Sequence, residues 1–185
     1  MSGAKLSYLA AAFLGAGLIL LLIIYLTPYR WERLVNFFEP EANILSGGFH
    51  RNQALIAIGS GGLFGAGFGQ STTKISYLPE PAGDSIFAVI AEELGFVGAG
   101  LLILVFLALV LKIFFLSKRA PDKFGELLLI GFGSLIAIQT FAHIGAISGL
   151  IPLTGTPLPF ISYGGTALAV FMTIGGIVVN VSKYT

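Results

Sequence analysis

The sequence predicts an all-α integral membrane protein with about four transmembrane helices and a long structured outer loop. Only 10% of its 185 residues are charged and 56% are hydrophobic, whereas a soluble domain carries about 25% charged residues. Uncharged or nearly uncharged runs recur that are long enough to cross a hydrocarbon core roughly 30 Å thick. The first two are separated by a long stretch that keeps tryptophan, phenylalanine and a dense glycine run, which is not the composition of a disordered linker. With no cysteine, disulfides, thiolate nucleophiles and cysteine metal sites are excluded. A net charge of +1 gives no reason to expect a nucleic-acid partner.

The first span, residues 6–26, is uncharged throughout. It does not read as a signal peptide: only Lys5 precedes it and TPYRWER follows it, and it exceeds the usual ~7–15 apolar residues. A second span covers 84–116, its uncharged part running from Leu94 to Leu111. The third covers 127–148 and the fourth 166–181. The connections are an outer loop at 27–83, a cytoplasmic loop at 117–126 and a second outer loop at 149–165. Together, residues 1–185 read as a single membrane domain. Lys5, Lys112, Lys118, Arg119, Lys123 and Lys183 gather at one side, mostly near span ends. By the positive-inside rule both termini and the KRAPDK loop are cytoplasmic.

The outer loop is too long to be a plain connection. It holds Trp31, several phenylalanines and the apolar QALIAI, Gln53–Ile58, so it is expected to fold back onto the membrane surface. GSGGLFGAGFG, Gly59–Gly69, follows. A phosphate cradle is the wrong reading, because Gly65 and Gly67 are followed by Gln70 where GxGxxG needs a third glycine, and no GK[ST] is present. A close-packing or re-entrant turn fits better, since glycine allows close backbone approach and positive φ, and irregular backbone at membrane depth needs protein or water to satisfy it.

YLPEPAGDSIFAVIAEELG, Tyr77–Gly95, concentrates four of the nine acidic residues: Glu80, Asp84, Glu92 and Glu93. Asp84 stands before an apolar helix, where aspartate commonly caps. At 100° per residue, Asp84, Ala88, Ala91, Gly95 and Gly98 fall within about 40° of one line, a small-residue stripe suited to close helix approach. Asp84 therefore sits at the outer end of an inward face. Glu92 is about 80° from that line and Glu93 about opposite it, which suits structural or anchoring roles.

Gln139 and His143 share a face at i and i+4, where interhelical hydrogen bonding is the expected use. A lone histidine makes no metal site. IPLTGTPLPFISYGGT, Ile151–Thr166, is dense in helix breakers and reads as a structured outer loop ending in a helix start. Ser162 has no local histidine to make it a nucleophile.

Four stretches, YRWERLVNFFEPEAN, AIGSGGLFGAGFGQS, YLPEPAGDSIFAVIAEELGFVG and GLIPLTGTPLPFISYGGT, resemble in order and spacing the C-terminal half of the SEDS family of cell-wall glycosyltransferases (FtsW, RodA and SpoVE). GDSIFAVIAEELG looks most like the FtsW branch. The resemblance implies half of a fold of about ten helices in the bacterial cytoplasmic membrane. It also implies polymerisation of lipid II into glycan strands, with release of undecaprenyl pyrophosphate, in cell division. The implied partners are a class B penicillin-binding protein, divisome membrane proteins and, if the chain is one product of a split gene, a separate N-terminal half.

The family's essential acid falls on Asp84. Arg30, Arg51, Lys74, Glu80 and Ser162 are the candidates for substrate contact, the cations for pyrophosphate. No cofactor and no metal-ligand residues are assigned, and a divalent cation stays open. The chain departs from the family's frequent His-Thr-Asp-Phe in having Ala82-Gly83-Asp84-Ser85, and has His143 where Asn is frequent. Two further readings are a transporter of a lipid-linked cell-wall precursor and a non-catalytic membrane scaffold for a transpeptidase.

Overall fold

The computed structural model describes residues 6–38, 47–71 and 83–184, whose regular structure is all helical, with no strand among them. Among the described residues the helices are α1 (Leu6–Leu26), α2 (Pro28–Phe38), α3 (Gly47–Ser60), α4 (Ile86–Ser117), α5 (Lys123–Ile147) and α6 (Gly165–Ser182). The chain divides into two compact units, Met1–Gly48 and Phe49–Thr185. Among the described residues, α4, α5 and α6 are long and apolar enough to cross a membrane, and Leu14–Leu26 of α1 is a shorter apolar stretch.

In the first unit, α1 ends at a proline boundary. The residue before proline is steered out of the helical region, and proline at the first position suits a new helix, where its missing N–H costs nothing. Thr27 serves both sides: its N–H donates to Ile23 and its carbonyl accepts from Arg30 and Trp31. Tyr25 and Trp31 meet edge to face across the bend, ring centres 6.3 Å apart. Trp31, Val35 and Phe38 recur at helical spacing on α2, the pattern of a helix lying in an interface.

The second unit is organised by a break in α4. Gly95 adopts φ 70° and ψ −170° within an otherwise helical run. A break frees carbonyls on one side and N–H groups on the other. The glycine run answers both. Ala66 and Gly67 donate N–H bonds of 2.9 and 3.1 Å to the carbonyls of Glu92 and Glu93, and Phe96 and Val97 donate to the carbonyls of Gly62 and Leu63. So close an approach excludes side chains. A Cβ on Gly61 would lie 2.1 Å from the Ala91 carbonyl oxygen, and one on Gly65 would lie 2.1 Å from that of Glu93. The segment expected to pack tightly or turn back is thus the backbone partner of a discontinuous helix. Beyond the break, residues 96–117 extend about 33 Å, enough to cross the hydrocarbon core alone.

Glu93, expected opposite the inward face, is buried like Glu92. Glycine backbone and Ser71 cover this part of α4, a covering that a helical wheel does not see. The first apolar cluster joins Ala54 and Ala57 of α3 to Phe87, Ala88 and Ala91 of α4 and to Ile147 of α5. The small residues let these helices approach closely. A second cluster, with Phe106, Ile113, Leu129, Ile136, Leu158, Phe171 and Ile174, holds α4, α5 and α6 together. Asp122 caps α5 by accepting from the Gly125 N–H at 3.0 Å.

Candidate active site before α4

Asp84 lies in the turn 83–85 that leads into α4 and is half-buried. It is not the cap. The helix starts one residue later, with Ser85 at the N-cap position, whose carbonyl accepts from Ala88 and Val89. The Asp84 carboxylate is therefore not consumed in starting the helix.

What holds this turn comes from far along the chain. The Ser162 hydroxyl donates to the Gly83 carbonyl at 2.9 Å and accepts from the Leu158 N–H at 2.7 Å. Its proton and one of its two lone pairs are in use, and the residue is buried. The loop bearing Ser162 is itself fixed to α5. Gln139 Nε2 donates to the Pro157 carbonyl at 3.2 Å, and His143 Nδ1 lies 2.6 Å from the Thr156 carbonyl. Gln139 and His143, expected to bond between helices, bond instead from a helix to a loop. The loop's prolines remove N–H donors and keep it extended, so its carbonyls are open to side chains.

Phe160, in the same loop, takes φ 64°, a conformation costly for a bulky residue. Its ring packs on Phe171 of α6 with centres 5.6 Å apart, which holds the strained turn against the bundle.

His143 is 1% exposed. A carbonyl only accepts, so the ring donates through Nδ1 and Nε2 keeps a lone pair in the neutral form. Nε2 is buried without a hydrogen-bond partner among the described residues.

The remaining candidates separate. Arg51, on α3, donates through Nη2 to the Gly149 carbonyl at 3.3 Å, which ties α3 to the end of α5. Arg30 is exposed on α2, in the other compact unit. Lys74 and Glu80 lie outside the described residues. Among the described residues no cluster of three or more His, Asp or Glu side chains suits a metal ion. Sequence reasoning missed Ser71, whose hydroxyl donates to Glu92 Oε2 at 2.5 Å. No sequence signal joins two residues that only the fold of the glycine run brings together.

A family model described as "Cell cycle protein", covering FtsW, RodA and SpoVE, matches residues 1–185. The chain is 46% identical over 158 residues to stage V sporulation protein E of Bacillus subtilis (strain 168), an alignment covering 85% of this chain and 43% of the relative. It is 45% identical to the probable peptidoglycan glycosyltransferase FtsW of the same organism, over 86% of this chain and 40% of that one. With FtsW of Aliivibrio salmonicida (strain LFI1238) the identity is 37%, over 98% of this chain and 46% of the relative. A solved structure described as "Structural coordination of polymerization and crosslinking by a peptidoglycan synthase complex" matches with a TM-score of 0.70 and 26% identity, over 96% of this chain and 49% of that one. The chain spans less than half the length of these curated relatives. It belongs to the FtsW, RodA and SpoVE family of cell cycle proteins, as a membrane protein built on part of that fold.

Proposed function

We propose that this chain is the C-terminal part of a peptidoglycan glycosyltransferase that polymerises lipid II, with Asp84 as its general base. The observation that carries the reading is the disposition of Asp84. It is half-buried before α4, released from capping by Ser85, and next to a carbonyl clamped by Ser162. In the reaction the acceptor sugar's hydroxyl attacks the anomeric carbon of the donor. The bond from that carbon to the pyrophosphate oxygen breaks, and its electron pair leaves with undecaprenyl pyrophosphate. A positioned carboxylate that removes the hydroxyl proton contributes about 10²–10⁴-fold. Pyrophosphate is a good leaving group, so a second carboxylic acid of the glycosidase kind is not needed. Arg30, Arg51, Lys74 and Glu80 are the residues we assign to substrate contact, with the cations stabilising pyrophosphate. Ser162 serves the substrate through the backbone it holds.

In this reading the protein lies in the bacterial cytoplasmic membrane with both termini inside and residues 27–83 and 149–165 outside. It works in division beside a class B penicillin-binding protein. The name of the solved complex, which couples polymerization to crosslinking, supports such a partner.

One observation favours the transporter reading: transporters build substrate sites from discontinuous helices, and α4 is discontinuous at Gly95. The freed carbonyls of Glu92 and Glu93, however, are taken by Ala66 and Gly67 and are not left for an ion or substrate. That makes polymerisation the stronger reading.

The test is glycan polymer formation from labelled lipid II by the protein in nanodiscs, alone and supplied with the N-terminal half of a relative. The expected result is polymer from wild type and none from Asp84→Asn. Equal polymer from both would remove Asp84 from the chemistry. Lipid movement that survives the Asn change, without polymer, would favour transport. Indifference of both readouts would leave a scaffold.

A further inference from the structure

The far end of α4 carries a feature that the proposed reaction does not use. Between Leu94 and Ser117 the sequence holds one charged residue, Lys112. It lies five residues short of the end of the helix, about 8 Å along the axis. Ile113, Phe114, Phe115 and Leu116 stand between it and Ser117. An ammonium in hydrocarbon is costly, so a lysine placed here extends its stem along the helix and brings its charge to the interface.

Arg119 follows in the turn that ends the helix. Seven residues at 100° each put it two turns on and about 20° round from Lys112, so the two cations share a face. With Ala108, Leu111, Phe115 and Leu116 they line an open groove of about 370 Å³, within the roughly 300–1,000 Å³ of sites that hold small molecules. Leu111 and Phe115 are exposed in it. Lys123, nearby in sequence, pairs with Glu126 at 3.6 Å. Among the described residues Lys112 and Arg119 have neither an ion pair nor a side-chain hydrogen bond. Two like charges on one face repel each other, and an anion between them removes that repulsion.

We propose that this groove binds an anionic phospholipid, its phosphate between Lys112 and Arg119 and the start of an acyl chain along Leu111 and Phe115. Basic pockets near the ends of membrane helices hold such headgroups. The apolar part of the groove selects the chain and the two cations select the charge. A carboxylate from a protein partner would have to enter the apolar depth at which Lys112 is rooted, at a cost. A lipid phosphate already lies at the interface with its chains in hydrocarbon. The site is independent of the glycosyl-transfer reading and of which leaflet this end of α4 faces. A lipid held there fixes the depth of the helix that follows Asp84.

The experiment places the protein in phosphatidylcholine nanodiscs with a minor fraction of photoactivatable phosphatidylglycerol. A matched sample holds photoactivatable phosphatidylcholine instead, and mass spectrometry maps the crosslinked residues. One basic residue near an anionic membrane surface contributes a factor of about five. Labelling of residues 108–119 is therefore expected to be about fivefold to twenty-five-fold stronger with phosphatidylglycerol. The double variant Lys112→Gln/Arg119→Gln is expected to bring the two lipids to parity. Lys118→Gln changes an exposed lysine outside the groove and is expected to leave the preference unchanged. All three side chains are exposed, so these changes spare the core.

Equal labelling by the two lipids in wild type overturns the proposal. The same loss from Lys118→Gln also overturns it, because the preference would then report surface charge and not a site. Loss of the label on adding the N-terminal half of a relative, at unchanged lipid composition, overturns it as well and makes the groove a protein interface.

Discussion

Ser162 reaches back 79 residues to hold the Gly83 carbonyl, one peptide unit from Asp84. The same oxygen takes the Leu158 N–H, so one hydroxyl both ties its own turn and fixes the start of α4. Ser162→Ala leaves a buried donor and acceptor unsatisfied, at about 1–3 kcal/mol each. Thermal unfolding in detergent is expected at a clearly lower temperature, and polymerisation is expected to fall at least tenfold. A variant as stable and active as wild type would show that the clamp is dispensable.

The glycines are not equivalent. A Cβ on Gly65 meets the Glu93 carbonyl at 2.1 Å, whereas one on Gly59 meets nothing within 4 Å. Gly65→Ala must push the glycine run off α4, costing about 1–3 kcal/mol or more. Gly59→Ala should change stability by less than about 1 kcal/mol, because alanine favours the helix it sits in. Matched denaturation curves for the two variants check this, and equal losses would refute the close approach.

Because Ser85 and not Asp84 occupies the N-cap position, Asp84→Asn should leave thermal stability unchanged while it removes activity. Asp122→Ala should do the reverse. Its carboxylate caps α5, so about 1 kcal/mol of stability should go with activity kept. Circular dichroism melting beside the polymerisation assay separates the two aspartates.

Gly149 takes φ +74°, and a Cβ there would come within 3.0 Å of the Arg51 guanidinium. Gly149→Ala and Arg51→Ala should therefore each destabilise the link between α3 and α5, and the double variant should cost less than their sum. Contacting residues couple by about 0.5–3 kcal/mol. Strict additivity in the cycle would mean that the arginine does not rest on that turn.

Much of this molecule was legible as sequence. Apolar runs dictated α4, α5 and α6, because a backbone in hydrocarbon must satisfy itself and a helix does so locally. Glycine density marked a place where backbone meets backbone, whereas the helix at Pro28–Phe38 lay unread inside the long outer loop. Asp84 stood out as an acid before an apolar helix, and Gln139 and His143 as polar groups on one face.

What the sequence could not determine depended on contacts between distant segments. Helical geometry took α4 as unbroken, yet Gly95 breaks it, because residues 62–67 are there to take the freed carbonyls and N–H groups. Glu93 is buried by that same covering, not by its own position on the wheel. The N-cap position fell on Ser85, and Ser162 joined Gly83, because the loop between α5 and α6 folds back over the head of α4. Hydropathy and period are properties of one segment, so a sequence displays them. A hydrogen bond across 79 residues needs both segments in place, and only the tertiary structure supplies that.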